Sequence, residues 1–389
     1  MPHDGRKNHL IDRRAFLKSA GLLGMAAACP LGLAGPGAAV AGPASGGDDR
    51  FVREAHYYEK QPHKKIRCKL CPRECVIDDM ERGYCGVREN RRGTYYTLVY
   101  ARPCTYHTDP IEKKPFFHIL PGSLAFSIAT AGCNVNCKFC QNWEISQTRP
   151  EQVRSIYMPP AEVASLAGRA NCRSIAYTYS EPVIFYEYMV DTVDAGHEAG
   201  VLSVVVTGGY IQKEPLVKLC AKADAIKVDL KSYSEDYYRD VVNGELKPVL
   251  DALVTMVDAG VWTEIVYLVV PTLNDSDEEF TGVARWIVSN LGPDVPVHFT
   301  RFHPQYLLKN LPPTPIATLE RAKAIADSEG IRYVYVGNVP GHEAEQTYCP
   351  GCGRVVVERK GYRINAVHIT GGACEFCKTK IAGLWDSPF

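Results

Sequence analysis

The segment Cys133-Asn-Val-Asn-Cys137-Lys-Phe-Cys140 spaces three cysteines as C-x3-C-x2-C. Three thiolates at this spacing can bind three irons of a [4Fe-4S] cluster, so the fourth iron is left without a protein ligand. A structural cluster usually takes four thiolates, and a zinc site more often has paired C-x2-C knuckles. The segment therefore indicates a cluster with one open iron, at which a small molecule can bind. Spacing alone still leaves a zinc site or a structural cluster open.

The cysteine segment directly follows an apolar run that predicts a buried strand. Strands are predicted at residues 124–130, 174–179, 202–207, 225–230, 262–270, 295–302 and 332–336. Helices are predicted between them at residues 161–170, 183–199, 214–223, 248–259, 277–289 and 318–329. Repeated β-α units with right-handed crossovers predict a parallel barrel or an open parallel sheet. In an α/β barrel the site lies at the carboxyl ends of the strands, which is where the cysteine segment stands.

Two stretches carry a resemblance to a known family, Cys137-Lys-Phe-Cys140-Gln-Asn-Trp-Glu-Ile-Ser and Tyr177-Thr-Tyr-Ser-Glu-Pro. They resemble the radical SAM enzyme of the AmmeMemoRadiSam system, which is related to the activases of glycyl radical enzymes. The resemblance implies a partial (β/α)6 TIM-like barrel for the core. It also implies a [4Fe-4S] cluster that reductively cleaves S-adenosylmethionine (SAM) to a 5′-deoxyadenosyl radical, which abstracts hydrogen from a substrate. No side chain in the sequence identifies that substrate.

Carried over residue by residue, the resemblance implies the ligands of both cofactors. Cluster ligation would fall to Cys133, Cys137 and Cys140. Contacts with SAM would come from Phe139, Asn142, Ser180, Glu181, Thr207, Asp229, Lys231, Arg301 and His303. Within that set, Asp229 would bind the ribose and Lys231 the carboxylate of SAM.

Several of these roles have a structural alternative. Phe139 can simply pack within its loop, and the Ser180-Glu181 pair can cap a helix instead of holding the SAM ammonium. Asp229 and Lys231 can form a plain ion pair at the mouth of the barrel. These alternatives stay open at the level of the sequence.

Two further observations concern the residues that the resemblance implies. Gly208 stands where the family more often has Asn, so an Asn contact to SAM is not expected there. Strand alternation puts Arg301 and His303 on one face and His298 on the other. We therefore expect Arg301 or His303 to meet SAM or substrate, and His298 to be a satisfied core histidine.

Two more cysteine groups flank the predicted core. The N-terminal group has the ligand-like spacing C-x2-C-x3-C-x9-C and consists of Cys68, Cys71, Cys75 and Cys85. It predicts a metal site, either zinc or an auxiliary cluster, with a disulfide pair as the alternative. The C-terminal group has two C-x2-C knuckles and consists of Cys349, Cys352, Cys374 and Cys377. It predicts a zinc-ribbon or rubredoxin-like site, with a disulfide-held docking module as the alternative.

The first residues of the chain predict a twin-arginine (Tat) export signal. Arg13-Arg14-Ala15-Phe16-Leu17-Lys18 has the expected core, a weakly apolar stretch follows, and Ala39-Val40-Ala41 offers a cleavage site. A lipobox-like site at Cys29 is a weaker alternative, and Pro30 and Pro36 disfavour a spanning helix. The prediction is export to the periplasm or cell envelope if the signal functions, and a cytoplasmic protein otherwise.

The predicted organisation has four regions. They are the signal at residues 1–41, a linker with the N-terminal cysteine module at 42–117, the radical SAM core at 118–345 and the C-terminal module at 346–389. Eleven of the fifteen cysteines fall into the three groups described above, so their spacing argues for metal ligation rather than for a disulfide framework.

Charge and composition narrow the set of partners. The chain has 44 Lys+Arg and 44 Asp+Glu residues, so no overall charge favours nucleic acid, and no stable membrane insertion is expected. The resemblance implies an electron donor of the flavodoxin or ferredoxin type and a Memo-like partner protein. An activase-like enzyme that installs a glycyl radical is the enzymatic alternative. An exported iron–sulfur electron carrier is the alternative from a different class, and the open three-cysteine site argues against it.

Overall fold

The structure is a computed structural model that describes residues 49–386. These residues lie in one compact unit that spans residues 48–389. The predicted Tat signal at residues 1–41 lies outside the described residues. Within the described range, no helix has the length and apolar character needed to cross a membrane.

The N-terminal module consists of two small antiparallel sheets. One has the strand order β1-β6-β5 and the other the order β2-β3-β4. The strands are β1 (Arg53–Glu54), β2 (Tyr58–Lys60), β3 (Ile66–Cys68), β4 (Val76–Ile77), β5 (Arg88–Arg91) and β6 (Thr94–Thr97). Their short length means that the module depends on packing against the core for its stability.

The core is built on an eight-stranded sheet in which sequence neighbours are also neighbours in space. Strands β8 to β14 are parallel, and β7 pairs antiparallel with β8 at one edge. The strands are β7 (Thr105–Pro110), β8 (Leu124–Ala129), β9 (Ser174–Tyr177), β10 (Leu202–Thr207), β11 (Ala225–Asp229), β12 (Trp262–Val269), β13 (Val297–Arg301) and β14 (Val334–Gly337). The parallel α/β core predicted from the apolar runs is thus confirmed.

Helices connect the parallel strands in all six crossovers of this sheet. They are α1 (Trp143–Ser146), α2 (Pro160–Arg169), α3 (Tyr186–Glu198), α4 (Lys213–Cys220), α5 (Glu235–Tyr237), α6 (Leu246–Asp258), α7 (Asp277–Asn290) and α8 (Ile316–Ser328). Six of them follow the predicted helical segments within a few residues. The six crossovers agree with the β-α count that the resemblance implied.

Strand β7 is the main element of the core that the sequence did not predict. Its residues, Thr-Tyr-His-Thr-Asp-Pro, are mostly exposed, and Asp109 is the buried exception. An edge strand that is polar and ends in proline has none of the apolar pattern that marks its neighbours. It lies in the range predicted for the N-terminal module, although it pairs with the core sheet.

The C-terminal module contains a three-stranded antiparallel sheet and a short hairpin. Its strands are β15 (Thr347–Tyr348), β16 (Val355–Lys360), β17 (Arg363–Val367), β18 (Ile369–Thr370) and β19 (Ala373–Cys374). Cys349 and Cys374 of this module share a small apolar cluster with Phe117, Tyr333 and Tyr335. That cluster joins the module to the last strand of the barrel.

A buried ion pair ties the N-terminal module to the core. The Arg88 guanidinium on β5 donates two hydrogen bonds to the Glu187 carboxylate on α3, at 3.0 and 2.5 Å. Both side chains are only 1% exposed, and Arg88 also donates to the carbonyl of Ile184. Removing this carboxylate would lower the stability of the fold, because the guanidinium would stay buried without its partner.

We expect Glu187→Ala to lower the free energy of unfolding by about 3–5 kcal/mol, because it leaves Arg88 charged, buried and unpaired. Chemical denaturation followed by circular dichroism measures the change. The matched control is Lys247→Ala, which removes an ion pair whose side chains are 75% and 63% exposed. The control is expected to change stability by less than about 1 kcal/mol. Equal effects of the two substitutions would contradict the structural role of the buried pair.

Candidate active site

A cavity of about 490 Å³ opens at the carboxyl ends of the parallel strands. Its volume lies in the range of about 300–1,000 Å³ that is usual for small-molecule sites. Six consecutive strands contribute a residue at or near their ends, namely Thr178, Thr207, Asp229, Leu268, Thr300 and Gly337. The loop after β8, the remaining parallel strand, supplies Cys133, Cys137 and Cys140. All parallel strands therefore converge on one site, as they do in a barrel.

Backbone hydrogen bonds hold the cysteine loop in place. The Asn136 and Lys138 amides donate to the carbonyls of Val242 and Val241, at 3.0 and 2.9 Å. The Cys140 amide donates to the Cys137 carbonyl at 3.0 Å and closes a turn between the two ligands. The loop is thus fixed by the segment that follows α5, rather than by its own sequence alone.

The three thiols have the surroundings that a bound cluster requires. Burial raises the pKa of the Cys133 thiol, and the neighbouring Glu181, Cys137 and Cys140 act in the same direction. Burial also raises the pKa of the Cys137 thiol to about 12. A buried thiol becomes a ligand only when a bound metal compensates its negative charge. The three thiols line one cavity, so their placement fits a cluster.

A chain of three charges lies beside the cysteine loop. The Asp229 carboxylate forms ion pairs with Lys227, and with Lys231 at 3.2 Å. Burial acts to raise the pKa of Asp229, but the two lysines outweigh it and lower this pKa to about 2. The Lys231 ammonium lies 5.9 Å from the centre of the Phe139 ring and interacts with the Cys137 thiol. Asp229 and Lys231 therefore form an ion pair with each other and also line the cavity.

Glu181 both caps a helix and lines the cavity. Its carboxylate accepts from the Val183 amide at 3.1 Å and caps the short 3-10 helix Pro182–Phe185. It also accepts from the Thr207 hydroxyl at 2.6 Å and from the Gly208 amide at 2.8 Å. Burial raises the pKa of Glu181 despite these three donors. A side chain at position 208 would crowd this carboxylate, since an added Cβ would lie 3.3 Å from its Oε2.

Two of the predicted polar residues, Ser180 and Asn142, line the cavity. The Ser180 hydroxyl is buried and has no hydrogen-bond partner, so it is free to bind a ligand. The Asn142 side-chain amide donates to the Tyr179 carbonyl at 2.8 Å. Tyr179 has a left-handed backbone with φ of 64°, which turns this carbonyl toward the cysteine loop. Both predicted residues thus reach the cavity wall.

Arg301 and His303 are not among the residues that line the cavity. Strand β13 ends at Arg301, whose guanidinium donates to the Thr314 carbonyl at 2.8 Å, and His303 is exposed beyond the strand. The even-numbered positions, His298 and Thr300, face the cavity instead. His298 is also the buried, satisfied histidine that was predicted, because its Nε2 lies 2.7 Å from Glu264.

The cavity also has a wall that the sequence did not predict. The Lys114 ammonium is buried against Asp109 at 2.5 Å and lies 4.4 Å from the Tyr179 ring centre. Burial lowers the pKa of Lys114 to about 8, and the neighbouring Asp109 only partly opposes this. Tyr362, in the turn between β16 and β17 of the C-terminal module, also lines the cavity. The sequence contained one signal for Lys114, namely the pair Lys113-Lys114 before β8. No feature of the sequence pointed to Tyr362.

The C-terminal cysteines form a compact four-thiol group. All four Sγ atoms lie within 4.8 Å of one another, with Cys349 and Cys377 at 3.5 Å and Cys352 and Cys374 at 3.9 Å. Four thiolates about 2.3 Å from one ion would be spaced in this way, so the group fits a single tetrahedral metal. Hydrogen bonding between Cys377 and Thr379 lowers the pKa of the Cys377 thiol to about 6, which favours the thiolate that a metal needs.

Comparison with known proteins agrees with this geometry. Residues 127–284 match the Radical SAM superfamily. The uncharacterized protein MJ0808 of Methanocaldococcus jannaschii is 43% identical over 332 residues, which are 85% of this chain and 99% of that protein. The pyruvate formate-lyase 1-activating enzyme of Escherichia coli K12 is 20% identical over 219 residues, or 52% of this chain and 89% of the enzyme.

Solved structures give weaker likenesses. A radical SAM methyltransferase from Sphaerobacter thermophilus has a TM-score of 0.45 and 19% identity, over 57% of this chain and 67% of that one. A domain of a pyruvate-formate lyase-activating enzyme from Bacteroides vulgatus has a TM-score of 0.39 and 14% identity, over 42% of this chain and 99% of that one.

We expect the C-terminal group to bind about one metal ion per chain, because its four sulfurs already lie within 4.8 Å of one another, as one tetrahedral ion requires. Replacing its two exposed ligands, in the variant Cys352→Ser/Cys377→Ser, should remove one metal equivalent. Elemental analysis of zinc and iron after gel filtration measures the loss. Cys104→Ser, which alters a thiol outside the three cysteine groups, is the matched control. An unchanged metal content in the double variant would contradict the assignment.

Proposed function

The chain belongs to the radical SAM superfamily, and we propose that its cavity binds SAM against an iron that Cys133, Cys137 and Cys140 leave open. The proposal depends on one observation: the three thiols and the polar residues at the strand ends line the same cavity. When bound, the cluster and SAM supply a 5′-deoxyadenosyl radical that abstracts hydrogen from the substrate. The tasks left to the side chains are to bind, to orient and to exclude water.

Lys231 is the proposed partner of the SAM carboxylate. Its ammonium uses one donor on Asp229, and an ammonium has three, so donors remain for a ligand. Asp229 keeps its charge because its pKa is about 2, and it therefore holds the lysine in position at any physiological pH. The remaining lone pairs of Asp229 suit the ribose hydroxyls.

Glu181 and Ser180 are the proposed partners of the SAM amino group, which keeps two N–H donors when its lone pair binds the iron. A carboxylate accepts about four hydrogen bonds, and Glu181 uses three of them on Thr207, Gly208 and Val183. The remaining site and the unpartnered Ser180 hydroxyl would accept from those two N–H donors. Capping the helix and binding SAM are then compatible roles of one carboxylate.

Membership of the superfamily does not identify the substrate, the partners or the location of the protein, so these are separate parts of the proposal. The likeness to pyruvate formate-lyase activating enzymes supports an activase-like enzyme, acting on a partner protein, as a second candidate. The AmmeMemoRadiSam resemblance supports a Memo-like partner protein. A flavodoxin or ferredoxin as electron donor and export through the Tat signal are further parts of the proposal, each open to its own test.

The first test is SAM cleavage by the anaerobically reconstituted full-length chain. With dithionite and SAM it should form 5′-deoxyadenosine, which chromatography with mass detection measures. The variant Cys133→Ala/Cys137→Ala/Cys140→Ala should form none, because it cannot hold the cluster. A parent protein with a fully loaded cluster that forms no 5′-deoxyadenosine would refute the proposed function and favour an electron carrier.

The second test concerns the lysine beside the cluster loop. We expect Lys231→Ala to raise the Kd for SAM by about 10- to 100-fold, the loss that corresponds to one charge-assisted hydrogen bond. Equilibrium dialysis against the reconstituted protein measures it. Lys222→Ala is the control, since that lysine pairs with Asp194 in the same way but is exposed and away from the cavity. Equal affinities of parent and Lys231→Ala would exclude the carboxylate contact.

A further inference from the structure

The N-terminal cysteines come together in the structure, although they are spread over eighteen positions of the sequence. Cys68 ends β3 and Cys75 precedes β4, and the Cys68 amide donates to the Cys75 carbonyl at 2.9 Å. Burial raises the pKa of the Cys71 thiol, and the nearby thiols of Cys68, Cys85 and Cys75 act in the same direction. All four are free thiols, so the disulfide alternative is not realised.

The surroundings of these thiols combine burial with polar backbone and positive charge. Burial raises the pKa of the Cys68, Cys71 and Cys85 thiols, and the backbone amides of Leu70, Arg73 and Val87 act in the opposite direction. The Arg88 guanidinium also acts to lower the pKa of Cys68. Backbone amides and positive charge near cysteine sulfurs tune iron–sulfur clusters.

The spacing of the four sulfurs distinguishes this site from the C-terminal one. Within the described residues, the group whose ligand atoms all lie within 4.8 Å of one another is the C-terminal one, Cys349, Cys352, Cys374 and Cys377. One tetrahedral ion at about 2.3 Å from each sulfur requires that closeness. The N-terminal four do not meet that limit, and neither do Cys133, Cys137 and Cys140. A single tetrahedral ion therefore fits the C-terminal group better than the N-terminal one, whereas a cubane cluster does not require its ligands to lie so close.

The N-terminal module also touches the cluster loop directly. The Cys85 carbonyl packs so closely on Gly132 that an added Cβ there would lie 2.6 Å from the carbonyl oxygen. The Arg73 guanidinium, between two of the four cysteines, donates to the carbonyls of Asn134 and Asn243. A cavity of about 700 Å³ is lined by both Cys85 and Cys133. The two cysteine sites are therefore neighbours across one packed contact.

We propose that Cys68, Cys71, Cys75 and Cys85 bind a second [4Fe-4S] cluster, which passes electrons to the SAM-binding cluster. A one-electron donor of the flavodoxin or ferredoxin class reduces the N-terminal cluster from the 2+ to the 1+ state. That cluster returns to 2+ when the electron moves to the neighbouring cluster, which then holds the electron used on SAM. The relay role rests on the proposed function, whereas the presence of the second cluster does not.

The first measurement is the cluster content of the variant Cys133→Ala/Cys137→Ala/Cys140→Ala. After anaerobic reconstitution it should keep about four irons and four acid-labile sulfides, and reduction should give an electron paramagnetic resonance signal. Acid-labile sulfide in this variant would show that the iron is not merely a single ion at the C-terminal group, because such an ion carries no sulfide. Zinc without sulfide would overturn the proposal, even if the parent cleaves SAM. The unmodified chain gives a second measurement that needs no variant: about eight sulfides, and two signals of which SAM shifts only one.

The second measurement tests the relay. The variant Cys71→Ser/Cys75→Ser should lose the signal that SAM does not shift and keep the one that it does. Its rate of 5′-deoxyadenosine formation with reduced flavodoxin should fall at least about tenfold relative to the parent. Cys172→Ser, a buried thiol outside the three groups, is the control. An undiminished rate with flavodoxin in a variant that has lost the second signal would overturn the relay.

Discussion

The open coordination site is the constraint on which the rest of this structure depends. Three thiolates must be held at one end of a parallel sheet while a fourth is kept away, and a buried polar cavity must lie next to the gap. The cysteine loop meets this requirement because its amides are fixed by the segment after α5, at Val241 and Val242. A loop that could move would close over the iron or admit water.

The structure also has to keep charged side chains buried near the site, and it does so by placing them in ion pairs. Asp229 lies between two lysines, and Arg88 lies against Glu187. An isolated carboxylate or lysine in such a position would shift its pKa and become neutral, whereas an isolated arginine would stay charged at a large cost in free energy. The pairs keep Lys231 charged beside the cluster loop, and they hold the N-terminal cysteine module against the same loop. Charge thus links the barrel, the site and the flanking module.

Much of this architecture could be predicted from the sequence, since strands buried on both faces leave continuous apolar runs. The polar edge strand β7 leaves no such run and was not predicted. Lys114, which pairs with Asp109 on this strand, was therefore missed as well. Arg301 and His303 show a second limit. Alternation along β13 was recognised, but which face points inward depends on the pleat of the whole sheet, and there His298 and Thr300 face the cavity. The Tat signal stays a prediction, because it precedes the described residues.

The most direct measurement is electron–nuclear double resonance on the reduced, reconstituted protein with SAM labelled by 15N in its amino group and 17O in its carboxylate. We expect hyperfine coupling from both labels, because the amino and carboxylate groups would bind the iron that the three cysteines leave open. A loaded, reduced cluster that shows neither coupling in the presence of saturating SAM would contradict SAM binding at the open iron.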